Sequence, residues 1–140
     1  MPGQNNAKTP ESEIKTRISR FQTRMAEQDI DAALIVQNTD LFYFSGTLQQ
    51  SHLFIPQSGE ALLMVKKDLK RAKTESPLKN IASINSSKEI PDLLKAAGYK
   101  IPGKLGMELD VLPANLYFNY QKIFPKSELA DIALTIRLVR

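Results

Sequence analysis

Residues 31–65, DAALIVQNTDLFYFSGTLQQSHLFIPQSGEALLMV, spell out a buried strand, a polar turn and a hairpin in unbroken succession. Ala32 to Val36 is apolar at every position, the pattern of a strand covered on both faces. Gln57-Ser58-Gly59-Glu60 then separates two further strand-like runs, Leu53 to Ile55 and Ala61 to Val65, which must pair as an antiparallel hairpin. Between the first strand and the hairpin, Asn38 or Thr39 is placed to cap a short helical turn carrying Leu41, Phe42 and Phe44. Gly46 supplies the backbone freedom to leave that turn.

Upstream, Thr9-Pro10-Glu11 reads as a helix start, with a capping hydroxyl, proline at the first helical position and acids near the positive end of the helix dipole. Ile14, Ile18, Phe21 and Met25 follow at helical spacing, as an apolar stripe that packs on a sheet. Residues 1–8 are polar and aperiodic, and are expected to be a disordered tail. Downstream, a basic helix is expected over Lys66 to Thr74 and a brief strand over Asn80 to Ile84. A helix starting around Lys88 to Ile90 should bury Leu93, Leu94 and Ala97 before Gly98 ends it. Pro102-Gly103 turns into a strand over Leu105 to Leu109, and Pro113 opens a helix with Leu116, Tyr117, Tyr120 and Ile123 on its apolar side. Ser127 to Asp131 makes a last strand, and another helix begins at Ile132. This alternation argues for one α/β domain over residues 9–131, with a mixed sheet of about six strands.

Composition fits a globular chain. Of its 140 residues, 42% are hydrophobic and 24% charged, enough to bury a real core. No apolar run approaches the ~20 residues that span a bilayer, and the first residues lack a signal-like segment, so a cytoplasmic location with no membrane partner is the expectation. The absence of cysteine excludes disulfides, thiolate metal sites and cysteine nucleophiles. The net charge of +4 raises the question of nucleic acid. Its densest group, Lys66, Lys67, Lys70, Arg71 and Lys73, has no interleaved aromatic residue, so it reads as a solvated face and no nucleic-acid partner is expected.

Catalytic constellations are sparse. With one histidine there is no nucleophile–base set beside a Gly-x-Ser-x-Gly elbow, and Gly103 and Gly106 lack the spacing of a phosphate loop. No catalytic residue and no metal ligand set is assigned. Glu108 and Asp110 would share one strand face, a spacing compatible with a divalent ion or acid–base work, but no further carboxylates converge on them. Asp110 reads instead as a strand end and a cap for the helix near Pro113. His52, after the Thr47 to Ser51 loop, reads on its own as a strand residue hydrogen-bonded locally.

The segment from Glu13 through Ile35, the Tyr43-Phe44-Ser45-Gly46 turn, Lys104 to Leu109 (KLGMEL) and residues 129–140 (LADIALTIRLVR) follow one another in an order that resembles the amino-terminal domain of the creatinase, prolidase and aminopeptidase P family of Xaa-Pro-cleaving metallopeptidases. That resemblance implies a sheet with helices on both faces, of ribonuclease H-like architecture, and makes Glu108 a structural partner. It implies that residues 132–140 begin a connecting helix to a catalytic domain outside this sequence. Two aspartates, a histidine and two glutamates there would hold two divalent ions (Mn, Co or Zn), which generate the hydroxide that attacks the bond before proline. It further implies a homodimer, with His52 and Gln49 or Gln50 reaching a peptide substrate, proline at its second position, in the partner subunit. The substrate could be a dipeptide, a longer peptide or, as in creatinase, a small guanidino compound. The competing expectation is a free-standing α/β ligand-binding or protein-interaction domain without catalysis.

Overall fold

All four side chains of β1 (Ala32–Ile35) are buried, because this strand lies inside the sheet with helices over both faces. Alternation along the strand sends Ala32 and Leu34 to one core and Ala33 and Ile35 to the other. The computed structural model describes residues 9–140, and the tail expected at residues 1–8 lies outside the described residues. β1 pairs antiparallel with β2 (Ser51–Pro56) and parallel with β5 (Lys104–Met107). β2 continues antiparallel into β3 (Leu62–Val65), which is flanked in parallel by β4 (Asn80–Ser83), and β5 is flanked in parallel by β6 (Glu128–Asp131). The mixed sheet has six strands in the order β4-β3-β2-β1-β5-β6, so the expected class and strand number hold.

One face is covered by α1 (Glu11–Glu27), α2 (Asn38–Ser45), α3 (Leu69–Glu75) and α6 (Ala133–Val139). The other is covered by α4 (Ile90–Ala96) and α5 (Ala114–Ile123). The stripe Ile14, Ile18, Phe21 and Met25 is buried as its spacing predicts, and Phe21 stacks on Phe44 of α2 with ring centroids 5.2 Å apart. Gln22 ties α1 to the hairpin by donating to the Pro56 and Gly59 carbonyls, each at 2.9 Å.

Several local readings change. Pro10 itself occupies the cap position of α1 and no side chain caps it, so the Thr9 hydroxyl is not used. Gln37, not Asn38 or Thr39, caps α2 by accepting from the Asp40 N–H at 2.9 Å, and Gly46 closes the helix at φ 81° as expected. Asp68 caps α3, so Lys66 and Lys67 precede the helix. Ser86 and Glu89 form a reciprocal capping box on the 3₁₀ turn Ser87–Glu89 ahead of α4, and Ala97 is exposed because α4 has already ended. Of the apolar residues expected along α5, only Tyr120 is fully buried. β5 stops at Met107, so Glu108 and Asp110 do not share a strand face. Asp110 makes no cap for α5, whose start at Pro113 lacks a side-chain cap, and pairs loosely with Arg137 at 3.8 Å.

Gly106 allows β5 to run close beneath two isoleucines. A methyl group added there would overlap Cγ2 of Ile132, a fully buried branched side chain with no room to retreat, and would press on Ile30. Gly106→Ala should therefore cost about 1–3 kcal/mol of stability, the usual penalty for overpacking a core. Urea denaturation measures it, and a midpoint unchanged from wild type would show that the β5–β6 crossover is looser than the packing requires.

Candidate functional site

Every strand except β2 runs in the same direction, so the carboxyl ends of β1, β3, β4, β5 and β6 meet on one edge, where β2 begins. The edge is also a topological switch point, since the chain leaves β1 toward β2 on one side while β5 flanks it on the other. Open α/β sheets bind ligands at such places, outside the carboxyl ends of strands. Two polar clusters occupy this edge.

The first contains the residues expected from the sequence. Their loop is fixed by its own hydrogen bonds: the Thr47 hydroxyl donates to Glu75 at 2.6 Å and accepts from the Gln49 N–H at 3.2 Å, and the Lys66 N–H donates to the Gln50 carbonyl at 3.1 Å. The Thr47 hydroxyl foremost, with Arg71, holds the Glu75 carboxyl below its usual range. The loop leaves Gln50 exposed and presents Leu48 at its tip, 74% exposed. His52 stands within β2 and shares a 2.7 Å hydrogen bond between its Nε2 and the Tyr120 hydroxyl of α5. Burial first, and the Lys66 ammonium second, lower the His52 pKa to about 4, so the ring is neutral at physiological pH. Burial pushes the Tyr120 phenol up to about 12. Asn38, Gln50, His52, Lys66, Asn119 and Tyr120 all line one groove of about 330 Å³. The sequence brought His52, Gln49 and Gln50 together in one loop but gave Tyr120 only as an apolar position. Its hydroxyl was the available signal, because a buried tyrosine needs a partner for it.

The second cluster sits at the end of β5. Glu108 is 3% exposed, and its Oε1 accepts from the backbone N–H groups of Val36 and Gln37, both at 3.4 Å. It therefore serves the structural role expected of it, at the point where β1 runs out of strand partners. The neighbouring acid, Asp40, is bound by Arg140 at 2.7 Å. Burial, and then hydrogen bonding and repulsion from Asp40, push the Glu108 carboxyl up to about 9, against the weaker opposing effect of the two N–H donors. Glu108 thus keeps its proton at neutral pH and can share it with Asp40. Asp40 and Arg140 lie 100 positions apart, and the sequence did not connect them. Among the described residues, no group of three or more His, Cys, Asp or Glu side chains could hold a metal ion. The two divalent ions that the resemblance implies were expected on residues outside this sequence, and the cluster at Glu108 and Asp40 is held together by hydrogen bonds and the Arg140 charge.

Because the Glu108 pKa is raised from 4.5 to about 9 on folding, the folded chain binds more protons than the unfolded chain between those values. Its contribution to stability is complete below the lower value and declines as pH rises through the upper one. Glu108→Gln keeps an oxygen for Val36 and Gln37 and offers an amide N–H toward Asp40, so it should flatten the fall in stability between about pH 5 and about pH 9. Urea midpoints across that range test it, and an equal slope in both proteins would assign the pH dependence to other groups.

Residues 17–140 match the family model described as the Creatinase/Prolidase N-terminal domain. No curated protein matches the chain. Among solved structures, the fold is similar to the N-terminal domain of the cytoplasmic peptidase PepQ from Mycobacterium tuberculosis H37Rv, with a TM-score of 0.76 and 21% identity over 89% of this chain and 98% of that one. It is also similar to the prolidase from Pyrococcus furiosus, with a TM-score of 0.72 and 27% identity, and to the Xaa-Pro dipeptidase from Bacillus anthracis, with a TM-score of 0.78 and 18% identity. These two matches cover 86% and 91% of this chain but only 36% of each of those longer chains. With nearly the whole sequence matched by the family model and the same sheet recovered in its structures, this chain belongs to the creatinase/prolidase N-terminal domain family.

Proposed function

We propose that this chain is the non-catalytic amino-terminal domain of an Xaa-Pro dipeptidase or aminopeptidase P-like enzyme, and that it supports dimerisation and forms part of the cleft that receives the peptide. The observation that carries the reading is the extent of the matches: 86% of this chain corresponds to about a third of the Pyrococcus furiosus prolidase, and 89% of it to almost all of a separately solved N-terminal domain. In this reading the remaining chain supplies the catalytic domain and the residues for two divalent ions, Mn, Co or Zn. The cytoplasm is the proposed location. Among the described residues no helix is long and apolar enough to cross a membrane, and one structural relative is described as a cytoplasmic peptidase.

Two surface features support this arrangement. α6 buries Ile136 and Val139 against the core yet carries Leu134 and Leu138 on its open side, 62% and 59% exposed. A helix apolar on both sides suits a position between two bodies, here this domain and the catalytic domain. Leu48 stands out on the anchored Thr47 to Gln50 loop, where an exposed apolar tip followed by two amide side chains fits contact with a partner subunit. Gln49, Gln50 and His52 would then meet the peptide in trans. A neutral His52 offers a hydrogen bond there but no charge.

The 140-residue chain alone should hydrolyse no Xaa-Pro peptide, while a polypeptide that carries this chain followed by its metal-binding domain should do so with Mn, Co or Zn. In that longer enzyme, His52→Ala or Gln50→Ala should raise KM more than it lowers kcat, by a factor equivalent to roughly 1–3 kcal/mol for a lost hydrogen bond, because a group remote from the bond being cut contributes uniform binding. Steady-state kinetics at matched metal occupancy provide the readout. Unchanged KM in both variants would remove the contact in trans, and turnover that co-purifies with the 140-residue chain would overturn the division of labour.

A further inference from the structure

We propose that the groove between the start of β2, the end of β3 and α5 binds the carboxylate of a small organic anion, with Lys66 as its countercharge and Gln50, Asn119 and the His52–Tyr120 pair as its hydrogen-bonding wall. The lining has the composition such a ligand requires. Lys66 is the one cation and no carboxylate is present among the described residues that line it, while Asn38, Gln50, Ser51, Ser87 and Asn119 bring neutral polar side chains. Val36, Ile84 and Leu116 supply apolar surface for the body of the ligand. A volume of about 330 Å³ fits a molecule the size of an acylated amino acid.

The His52 ring, on the wall of this groove, carries an unmet hydrogen-bonding demand. Its Nδ1 is buried without a hydrogen-bond partner, while Nε2 is taken by the Tyr120 hydroxyl. If Nδ1 bears the proton, a buried donor is idle. If Nε2 bears it, that N–H donates to the Tyr120 oxygen, and the tyrosine proton has no acceptor among the described residues. In the second tautomer the Tyr120 hydroxyl, whose residue lines the groove, has a proton to give, and a carboxylate oxygen accepts it. A single fixed positive charge matches a monoanion. Phosphate, which carries more charge and favours arginine forks, is poorly served by one lysine and no arginine.

The carboxylate assignment stands on the groove alone. That its source is a prolyl group rests on the peptidase reading above. Titration of the ¹⁵N-labelled 140-residue chain at constant ionic strength separates the two, with N-acetyl-L-proline, its uncharged amide and inorganic phosphate as probes, followed by amide chemical shifts. N-acetyl-L-proline should give saturable shifts at Gln50, Lys66 and Asn119, and binding should weaken about tenfold or more for the amide and in Lys66→Ala, which removes the countercharge. Lys66 is exposed, so this variant retains the fold. Tyr120→Phe should weaken binding several-fold with the spectrum otherwise preserved. Equal binding of the amide, phosphate binding tighter than acetylproline, an unaffected Lys66→Ala or the absence of saturable shifts would each overturn the proposal. Peptide hydrolysis does not enter this measurement, so its failure would leave the peptidase reading standing.

Discussion

The backbone N–H groups of Val36 and Gln37 leave the sheet at the end of β1 and need an acceptor inside the protein, and the buried Glu108 carboxyl takes both. An unpaired N–H in this position would cost about 1–3 kcal/mol. At the opposite end of the same strand pair, Asp31 accepts from the Lys104 N–H at 2.8 Å, and Lys104 returns its carbonyl to the Asp31 N–H at 3.0 Å. A carboxyl group therefore clamps each end of the short parallel contact between β1 and β5, which has only two registered residue pairs of its own. The hairpin half and the parallel half of the sheet are joined by that seam.

The seam explains why the polar edge can be built there. β1 fills both cores with small and medium apolar side chains, so its exit is the first place where the chain can turn polar without entering the hydrophobic layers. Gln37 uses the turn to cap α2, and Asn38 reaches the groove beside His52. Asp40 faces the other way, toward Arg140 and Glu108. The groove on the β2 side is neutral apart from Lys66, whereas the β5 side holds paired acids and their arginine. Segregation of this kind keeps Lys66 free of a competing carboxylate and keeps Glu108 away from solvent.

What the sequence disclosed was local. The buried run Ala32 to Val36, the hairpin around Gln57 to Glu60, the stripe on α1 and the glycine exits at Gly46 and Gly98 are all written in short-range periodicity and turn chemistry. What it concealed were contacts between distant segments. His52 and Tyr120 are 68 positions apart, and nothing in a strand-like His-Leu-Phe run specifies an aromatic hydroxyl as partner. Nothing in its neighbourhood singled out Asp40, and its burial follows only once α6 returns across α2 with Arg140. The Asp110 reading failed for a related reason: the strand ended at Met107, two residues earlier than the apolar pattern indicated, where Asp131 of β6 accepts from the Leu109 N–H.

The same geometry ties the exit of the domain to its interior. Tyr43 of α2 donates to the Val139 carbonyl at 3.3 Å, and its ring lies beneath the Arg17 guanidinium at 4.4 Å and near that of Arg140 at 5.5 Å. Arg17 in turn donates to the Tyr43 carbonyl at 2.8 Å. α6 is therefore anchored at its last turn by one aromatic ring and one acid, Asp40, both carried on α2. α2 begins at the residue after Gln37, whose N–H Glu108 holds, so one tie on α6 runs back to the seam between β1 and β5. Beside it are direct ones, in which Thr135 donates to Gln28 at 2.8 Å and the Ile132 N–H donates to the Met107 carbonyl at 3.0 Å. These ties hold the exposed pair Leu134 and Leu138 in a fixed place relative to the turn that leaves β1, the same turn from which Asn38 reaches the groove.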